Sequence, residues 1–312
     1  MQLYLCGWIL QNRIRQGKLR LHDLPEIAKQ NGFSGVEIMD RQIGTAIAEF
    51  LQVFTSKCKD GQCGIILDVS SDLTHNREEA WLGQIEYVKS MLGLADQIGT
   101  NKVRILLGGQ SFSFQTLFQK FRGGDSDRRQ SENRSALKNF VRKMLVNHFT
   151  VHLSHVIRRR QKAKIRNEAA KVERASLAIE RILPEAEMLG IPLVIENHWG
   201  ISSRPENILN IIERFGSPYL GACPDFDNFP KDVDPYNGLA QLAPKAQHVH
   251  AKSRTFDRSG EQRRINYRRC VDILKAAGYE GSIAVEYEGS GDPLEGAIQT
   301  RDLILKYWEV NP

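Results

Sequence analysis

Short β-branched or apolar runs alternate with longer stretches of helical periodicity along almost the whole chain, and no other property narrows the choice of fold so far. The spacing predicts strands at Leu3–Trp8, Gly35–Met39, Gly64–Val69, Lys102–Leu107, Pro192–Glu196, Tyr219–Cys223, Ala246–Ala251 and Ser282–Glu286. A helical pattern follows each strand. The first runs over Leu24–Gln30, with Asp23 as its expected N-cap, Pro25 in its first turn and Gly32 as its stop. The helix before the fifth strand is expected over Asn167–Leu189, closed by Gly190. Eight strictly alternating β/α units are the count for a closed parallel barrel. An open doubly wound sheet would carry a glycine-rich phosphate turn after its first strand, and Trp8–Gly17 has none. The expected fold class is therefore α/β, a single (β/α)8 TIM barrel over residues 1–312, and 312 residues accommodate such a barrel with an insertion.

That insertion is expected over residues 110–166, after strand four, where the alternation lapses. Gln110–Lys171 carries fifteen Lys/Arg against four Asp/Glu, so one segment accounts for the net charge of +6. It contains the polar piece RGGDSDRRQSENR, then helical spacing over Leu137–Ile157, then the run RRRQKAKIR. We read it as a basic helical excursion, with a solvated helix pair weighed against a lid or polyanion contact. His148, His152 and His155 share a helical face there, but no carboxylate accompanies them, and amphipathic packing accounts for them better than metal binding. Five scattered cysteines without a C-x-x-C pair argue against a disulfide scaffold or zinc knot and suit a reducing compartment. No basic leader precedes the first apolar run and no run reaches the ~18 residues of a membrane span, so a cytoplasmic protein without membrane contact is expected.

Barrels of this kind place their chemistry where the strands end at the C-terminal rim. Strand five ends in IENHW, strand six leads into CPDFDN, strand seven into HVHAKS and strand eight into AVEYEG. Side chains alternate faces along a strand, and by that parity Glu196, His250 and Glu286 occupy the last inward positions of their strands. With Asp225 they form a set of three carboxylates and one imidazole, a donor set for a divalent cation: manganese first, with magnesium, cobalt or zinc as alternatives. Taken alone, each of these residues reads as a salt bridge or packed side chain; four such donors on consecutive strand ends read as a site. A metal there would polarise a substrate carbonyl or hydroxyl and stabilise an enediolate. His198, Lys252 and Arg254 are candidate substrate contacts, with packing or solvation as their alternatives, and Asp227 and Asn228 are weaker candidates.

The segments GFSGVEIMD, IPLVIENHWG, LGACPDFDNF, HVHAKSRTFDRSGE and GYEGSIAVEYEG resemble the xylose-isomerase-like TIM-barrel superfamily of sugar-phosphate isomerases and epimerases. The resemblance spans nearly the whole chain outside the insertion. It implies metal ligation by Glu196, Asp225, His250 and Glu286, with Glu196 and Glu286 doubling as acid and base at the carbon beside a carbonyl. The family's frequent D-x-G-H after strand six is here Asp225-Phe226-Asp227-Asn228, without the histidine. The endonucleases of the endonuclease IV type, in the same superfamily, use extra histidines after strands two, three and six, and VEIMDRQ, LDVSSD and PDFDN supply none. The expected function is a metal-dependent sugar or sugar-phosphate isomerase or epimerase with a small carbohydrate substrate. The alternatives are a nucleic-acid phosphodiesterase that grips its substrate with the basic insertion, and a non-catalytic metal- or ligand-binding barrel. Substrate, metal and oligomeric state, including a homo-oligomer, stay open at this level.

Overall fold

A computed structural model describes the backbone of residues 1–43, 47–108 and 150–309, and the side chains of 1–43, 52–108 and 167–309. The chain divides into two compact units, Met1–Gly109 together with Val172–Pro312, and Gln110–Lys171. In the first unit eight strands are all parallel: β1 Gln2–Cys6, β2 Gly35–Met39, β3 Gly64–Val69, β4 Lys102–Ile105, β5 Leu193–Glu196, β6 Leu220–Cys223, β7 His248–Ser253 and β8 Ser282–Tyr287. They pair in the order β6-β5-β4-β3-β2-β1-β8-β7. The seam between β6 and β7 is closed by bridges Ala222–Ala246 and Asp225–His250, with Gln247 N donating to Ala222 O at 3.0 Å and His250 N to Pro224 O at 3.0 Å. The fold is a (β/α)8 TIM barrel.

Among the described residues one main helix follows each strand, α1 Leu24–Gln30, α2 Ile47–Gly61, α3 Glu78–Ile98, α4 Thr150–Leu189, α5 Pro205–Phe215, α6 Pro235–Leu242, α7 Tyr267–Ala276 and α8 Pro293–Glu309, with shorter helices at Gln11–Arg15 and Asp40–Ile43 in the loops after β1 and β2. Their apolar faces bury Leu24, Trp81, Ile85, Ile179, Ile208, Ile211, Leu239 and Ile304 in one hydrophobic core with residues of the strands. Trp81 is additionally flanked by the guanidinium groups of Arg174 and Arg181, 4.1 and 4.7 Å from its ring. No described helix is long and apolar enough to cross a membrane.

Three local expectations are corrected. Strand β1 stops at Cys6 and the chain turns at once into a 3-10 helix, Gly7–Leu10, because Gly7 lets the backbone pass close to Glu37 O and Leu24. Asp23 takes the N-cap position of α1 but leaves the cap bond unmade, since its carboxylate accepts from Arg20 N at 3.0 Å and lies 3.4 Å from Lys57 Nζ. Helix α4 starts at Thr150 rather than Asn167: RRRQKAKIR lies within it, a run of good helix formers without a breaker. Residues 109–149, the side chains of 150–166, and with them His148, His152, His155 and the basic insertion's contacts, lie outside the described residues.

Candidate metal centre and active site

Strand parity places one polar interior side chain on every strand at nearly the same level of the barrel: Cys6, Glu37, Asp68, Arg104, Glu196, Cys223, His250 and Glu286, all buried. A layer below, Tyr4, Ile66 and Ala284 form a small apolar cluster that floors it. Burying this many polar groups is costly unless they satisfy one another, and they form a connected network. Glu37 bridges two histidines, with Oε2 2.8 Å from His248 Nε2 and Oε1 2.9 Å from His250 Nε2. His248 is closed on its other side by Ser282, whose Oγ and backbone O both lie 2.9 Å from Nδ1. Arg104 spans Asp68, 2.6 Å from Nη2 to Oδ2, and Glu196, 3.3 Å from Nε to Oε2.

The expected donors fall into two triads that share His250, the second completed by Glu37, which the sequence did not predict. Ligand atoms of Glu196, Asp225 and His250 lie within 4.8 Å of one another, and so do those of Glu37, His250 and Glu286. His250 Nδ1 is 3.4 Å from Glu196 Oε1 and 3.3 Å from Glu286 Oε1. Asp225 follows β6 in an irregular turn held by Asn197, whose Oδ1 accepts from Asp225 N at 2.5 Å and whose Nδ2 donates to Asp225 O at 3.2 Å. Asp225 Oδ1 then accepts from the backbone N–H groups of Asp227 and Asn228 at 2.7 and 3.0 Å. Oδ2 is left buried without a hydrogen-bond partner among the described residues, as is His250 Nδ1. Unsatisfied buried polar atoms of this kind, a carboxylate oxygen and an imidazole nitrogen, fit a divalent cation.

Lys252 enters the site more deeply than its sequence position suggests. Strand β7 runs on to Ser253, two residues beyond the expected end, so Lys252 is an inward strand residue only 3% exposed. Its Nζ lies 3.3 Å from Asp225 Oδ2, 3.3 Å from Glu286 Oε2 and 3.2 Å from Glu288 Oε1, and donates to Asn228 Oδ1 at 3.0 Å. Burial opposes its charge, but Asp225, Glu286 and Glu288 more than offset this and hold its pKa well above the usual lysine value. Burial, reinforced by Glu286 and Glu196 and opposed by Lys252, pushes the Asp225 carboxyl up to about 7.

The other expected contacts lie further out. His198 is partly buried and packs edge-on against Trp199, ring centroids 4.2 Å apart; burial lowers its pKa against the pull of Glu196. Arg254 is half-exposed at the rim, where it meets Glu288 Oε2 at 2.5 Å and Asp227 Oδ2 at 3.5 Å, and Arg264 shares Asp227 at 3.0 Å. Sequence reasoning missed Glu37, Asp68, Arg104 and Asn197. Glu37 and Asp68 are the only charges in the strands GVEIM and GIILDV, Arg104 shares KVRI with Lys102, and a charged residue at an inward position of a buried strand is the signal that would have found them.

The sequence matches the family model described as "Xylose isomerase-like TIM barrel" over residues 139–307. No functionally curated protein is significantly similar in sequence. Among solved structures, D-psicose 3-epimerase with D-tagatose from Clostridium cellulolyticum H10 superposes with a TM-score of 0.69 at 10% identity, covering 99% of this chain and 100% of the other. The 3-keto-D-glucoside 4-epimerase from E. coli gives 0.66 at 13% identity, with 98% and 99% covered. A xylose isomerase-like TIM-barrel protein from Mycobacterium smegmatis in complex with magnesium gives 0.58 at 16% identity, with 92% and 87% covered. At these identities the superpositions establish the fold alone, but the family model matches more than half of the sequence, and on that ground the chain belongs to the xylose isomerase-like TIM-barrel family.

Proposed function

We propose that the protein is a divalent-metal-dependent sugar epimerase or isomerase that moves a proton at the carbon beside a carbonyl. The observation that carries this reading is the pair of carboxylates Glu196 and Glu286, each with an oxygen within 3.4 Å of His250 Nδ1, at the rim of a barrel otherwise closed by side chains. Several structural neighbours are sugar epimerases, which supports the same class of substrate.

Glu196, Asp225, His250 and Glu286 would hold the cation, with manganese the first expectation. When bound, such an ion polarises a carbonyl oxygen and lowers the cost of negative charge on it. The rest falls to this chain's own side chains. Glu196 and Glu286 come from strands separated by β6 and β7, so they flank a substrate from two sides. One removes a proton and the other, protonated beforehand, delivers a different proton to the opposite face, the arrangement an epimerisation needs; a single glutamate acting on one face would give an aldose–ketose isomerisation. Asn228 Nδ2 donates to Glu196 Oε1 at 3.0 Å and orients it. Lys252 and the amide of Asn228 offer donors to substrate hydroxyls, and His198 and Arg254 stand at the entrance. General acid–base transfer of this kind contributes about 10² to 10⁴-fold.

The test is deuterium wash-in. Protein loaded with Mn²⁺ is incubated in D2O with D-psicose, D-tagatose, D-fructose and L-ribulose, and label is read at the carbons flanking the carbonyl. Exchange that disappears in both Glu196→Gln and Glu286→Gln supports the reading. Near-normal turnover by Glu286→Gln on a confirmed substrate would end the two-carboxylate mechanism. Metal binding without exchange on any sugar would favour a binding barrel.

A further inference from the structure

We infer that Arg104 is a positioning residue that fixes one oxygen of Glu196, so that the other is presented to the metal and substrate. This rests on the metal-dependent reading above and adds to it a residue on the opposite side of the barrel from the rim contacts.

Arg104 belongs to β4, where it shares the inward parity of Lys102, and it is only 5% exposed. Its guanidinium is anchored by Asp68, with Nη2 donating to Oδ2 at 2.6 Å. With that end fixed, Nε faces Glu196 Oε2 at 3.3 Å. Neither of these two atoms makes a hydrogen bond to any described residue, so their contact is an ion pair, and each is a charged partner for the other in the interior. Glu196 Oε1, by contrast, accepts from Asn228 Nδ2 and points toward His250 Nδ1. The two oxygens of one carboxylate are thus sorted: Oε2 to the guanidinium, Oε1 to the centre.

Glu286 is not held in this way. Cys6 Sγ approaches its Oε1 at 3.6 Å, and Lys252 Nζ lies 3.3 Å from its Oε2, with no guanidinium in contact among the described residues. The terminal torsion of a glutamate is broad, so a carboxylate pinned at one oxygen keeps a fixed aim while an unpinned one can swing between partners. A planar, permanently charged fork with two anchors supplies that aim, and a lysine ammonium cannot span both anchors in the same way. Asp68 is the counter-anchor. Without it the guanidinium would be free to close on Glu196 with both arms and draw it away from the centre.

The experiment compares Mn²⁺ dissociation constants, read from the free-ion EPR signal, with melting temperatures of the metal-free protein, for wild type, Arg104→Lys and Arg104→Ala, the last with and without guanidinium ion. Outer-shell partners of metal ligands typically contribute about 10 to 100-fold in affinity. The expected result is a loss of that size in Arg104→Lys with a melting temperature near that of wild type. Guanidinium should restore affinity in Arg104→Ala, and where a substrate is in hand, kcat should fall while KM holds. Should Arg104→Ala fail to fold, the Asp68→Asn, Arg104→Gln double variant removes the stranded carboxylate and should still bind Mn²⁺ weakly. Variants that bind Mn²⁺ within about twofold of wild type would overturn the inference, as would guanidinium restoring the melting temperature without the affinity. A wild-type protein that binds no Mn²⁺ would instead strike the metal-dependent reading itself, before any variant is compared.

Discussion

Glu37 holds His250 from behind: Oε1 lies 2.9 Å from His250 Nε2, and the ring's other nitrogen is left facing Glu196 and Glu286. The same carboxylate receives His248 on Oε2 at 2.8 Å. Burial opposes charge on Glu37, but His250 and His248 outweigh it and hold the carboxyl well below the usual range. A carboxylate that orients an imidazole in this way fixes which nitrogen is free for a metal. In Glu37→Gln, an amide with one acceptor and one donor end replaces two carboxylate oxygens that face His248 Nε2 and His250 Nε2, and one ring must turn. The expected outcome is a loss of about 10 to 100-fold in Mn²⁺ affinity, measured by EPR titration. Unchanged affinity would show that His250 needs no such support.

Asp225 gives the metal-free protein a defined pH response. Its folded-state pKa of about 7 lies above the value of an unfolded aspartate, near 3.9, so the folded state binds the extra proton between those limits. For a raised acid, stability is highest below the unfolded pKa and is lost as pH rises through the folded one. Metal-free protein should therefore lose stability from about pH 4 to pH 7 on account of this group, while Mn²⁺ affinity, which requires the ionised carboxylate, rises over the same interval. Calorimetry at pH 6 in two buffers of different ionisation enthalpy should show proton release on Mn²⁺ binding, and Asp225→Asn should abolish that component. A pH-independent affinity between 5 and 7 would contradict the assignment.

The barrel was legible in the sequence because burial on both faces makes each strand a dense apolar run, and each helix is a separate amphipathic pattern between breakers. The donors at the strand ends were legible for a related reason: IENHW and AVEYEG change character abruptly where the apolar run stops. What the pattern could not give is depth. Lys252 reads as a rim residue because HVHAKS becomes polar early, yet its strand continues to Ser253 and its ammonium is drawn inward by Asp225 and Glu286. Glu37 and Asp68 are lone charges on their strands and Arg104 has only Lys102 beside it on its own, and only barrel closure makes them neighbours of one another and of Glu196 and His250.

Lys252 and a metal ion should compensate for each other. In the metal-free protein the ammonium lies within 3.3 Å of Asp225, Glu286 and Glu288 at once. Removing one member of a buried charge cluster typically costs about 3–5 kcal/mol. Lys252→Met should therefore lower the melting temperature markedly without metal and much less at saturating Mn²⁺, whose charge would serve the same carboxylates. Thermal melts of both proteins with and without Mn²⁺ decide the matter. An equal drop in both conditions would place Lys252 in plain packing rather than in charge balance around the centre.

The floor of the barrel should be separable from the centre above it. Tyr4 reaches across β2 and β3, where its hydroxyl accepts from Asn101 Nδ2 at 3.0 Å, and the room for its ring comes from Gly35 and Gly64. A Cβ at Gly35 would stand 2.6 Å from Gly64 O, a backbone atom paired in the sheet, and 2.6 Å from Tyr4 Cδ1. Neither neighbour can yield by a simple rotamer change, so Gly35→Ala overpacks the floor at a cost of about 1–3 kcal/mol. For a barrel of this size each kcal/mol lowers the melting temperature by about 1.5 °C. Glu37, two residues further along β2, is held by His248 and His250 rather than by the floor, so Mn²⁺ affinity should stay within about twofold of wild type. A large loss of affinity in Gly35→Ala would mean that the floor and the polar layer move as one unit, and that the contributions assigned to Glu37 and Arg104 include the packing beneath them.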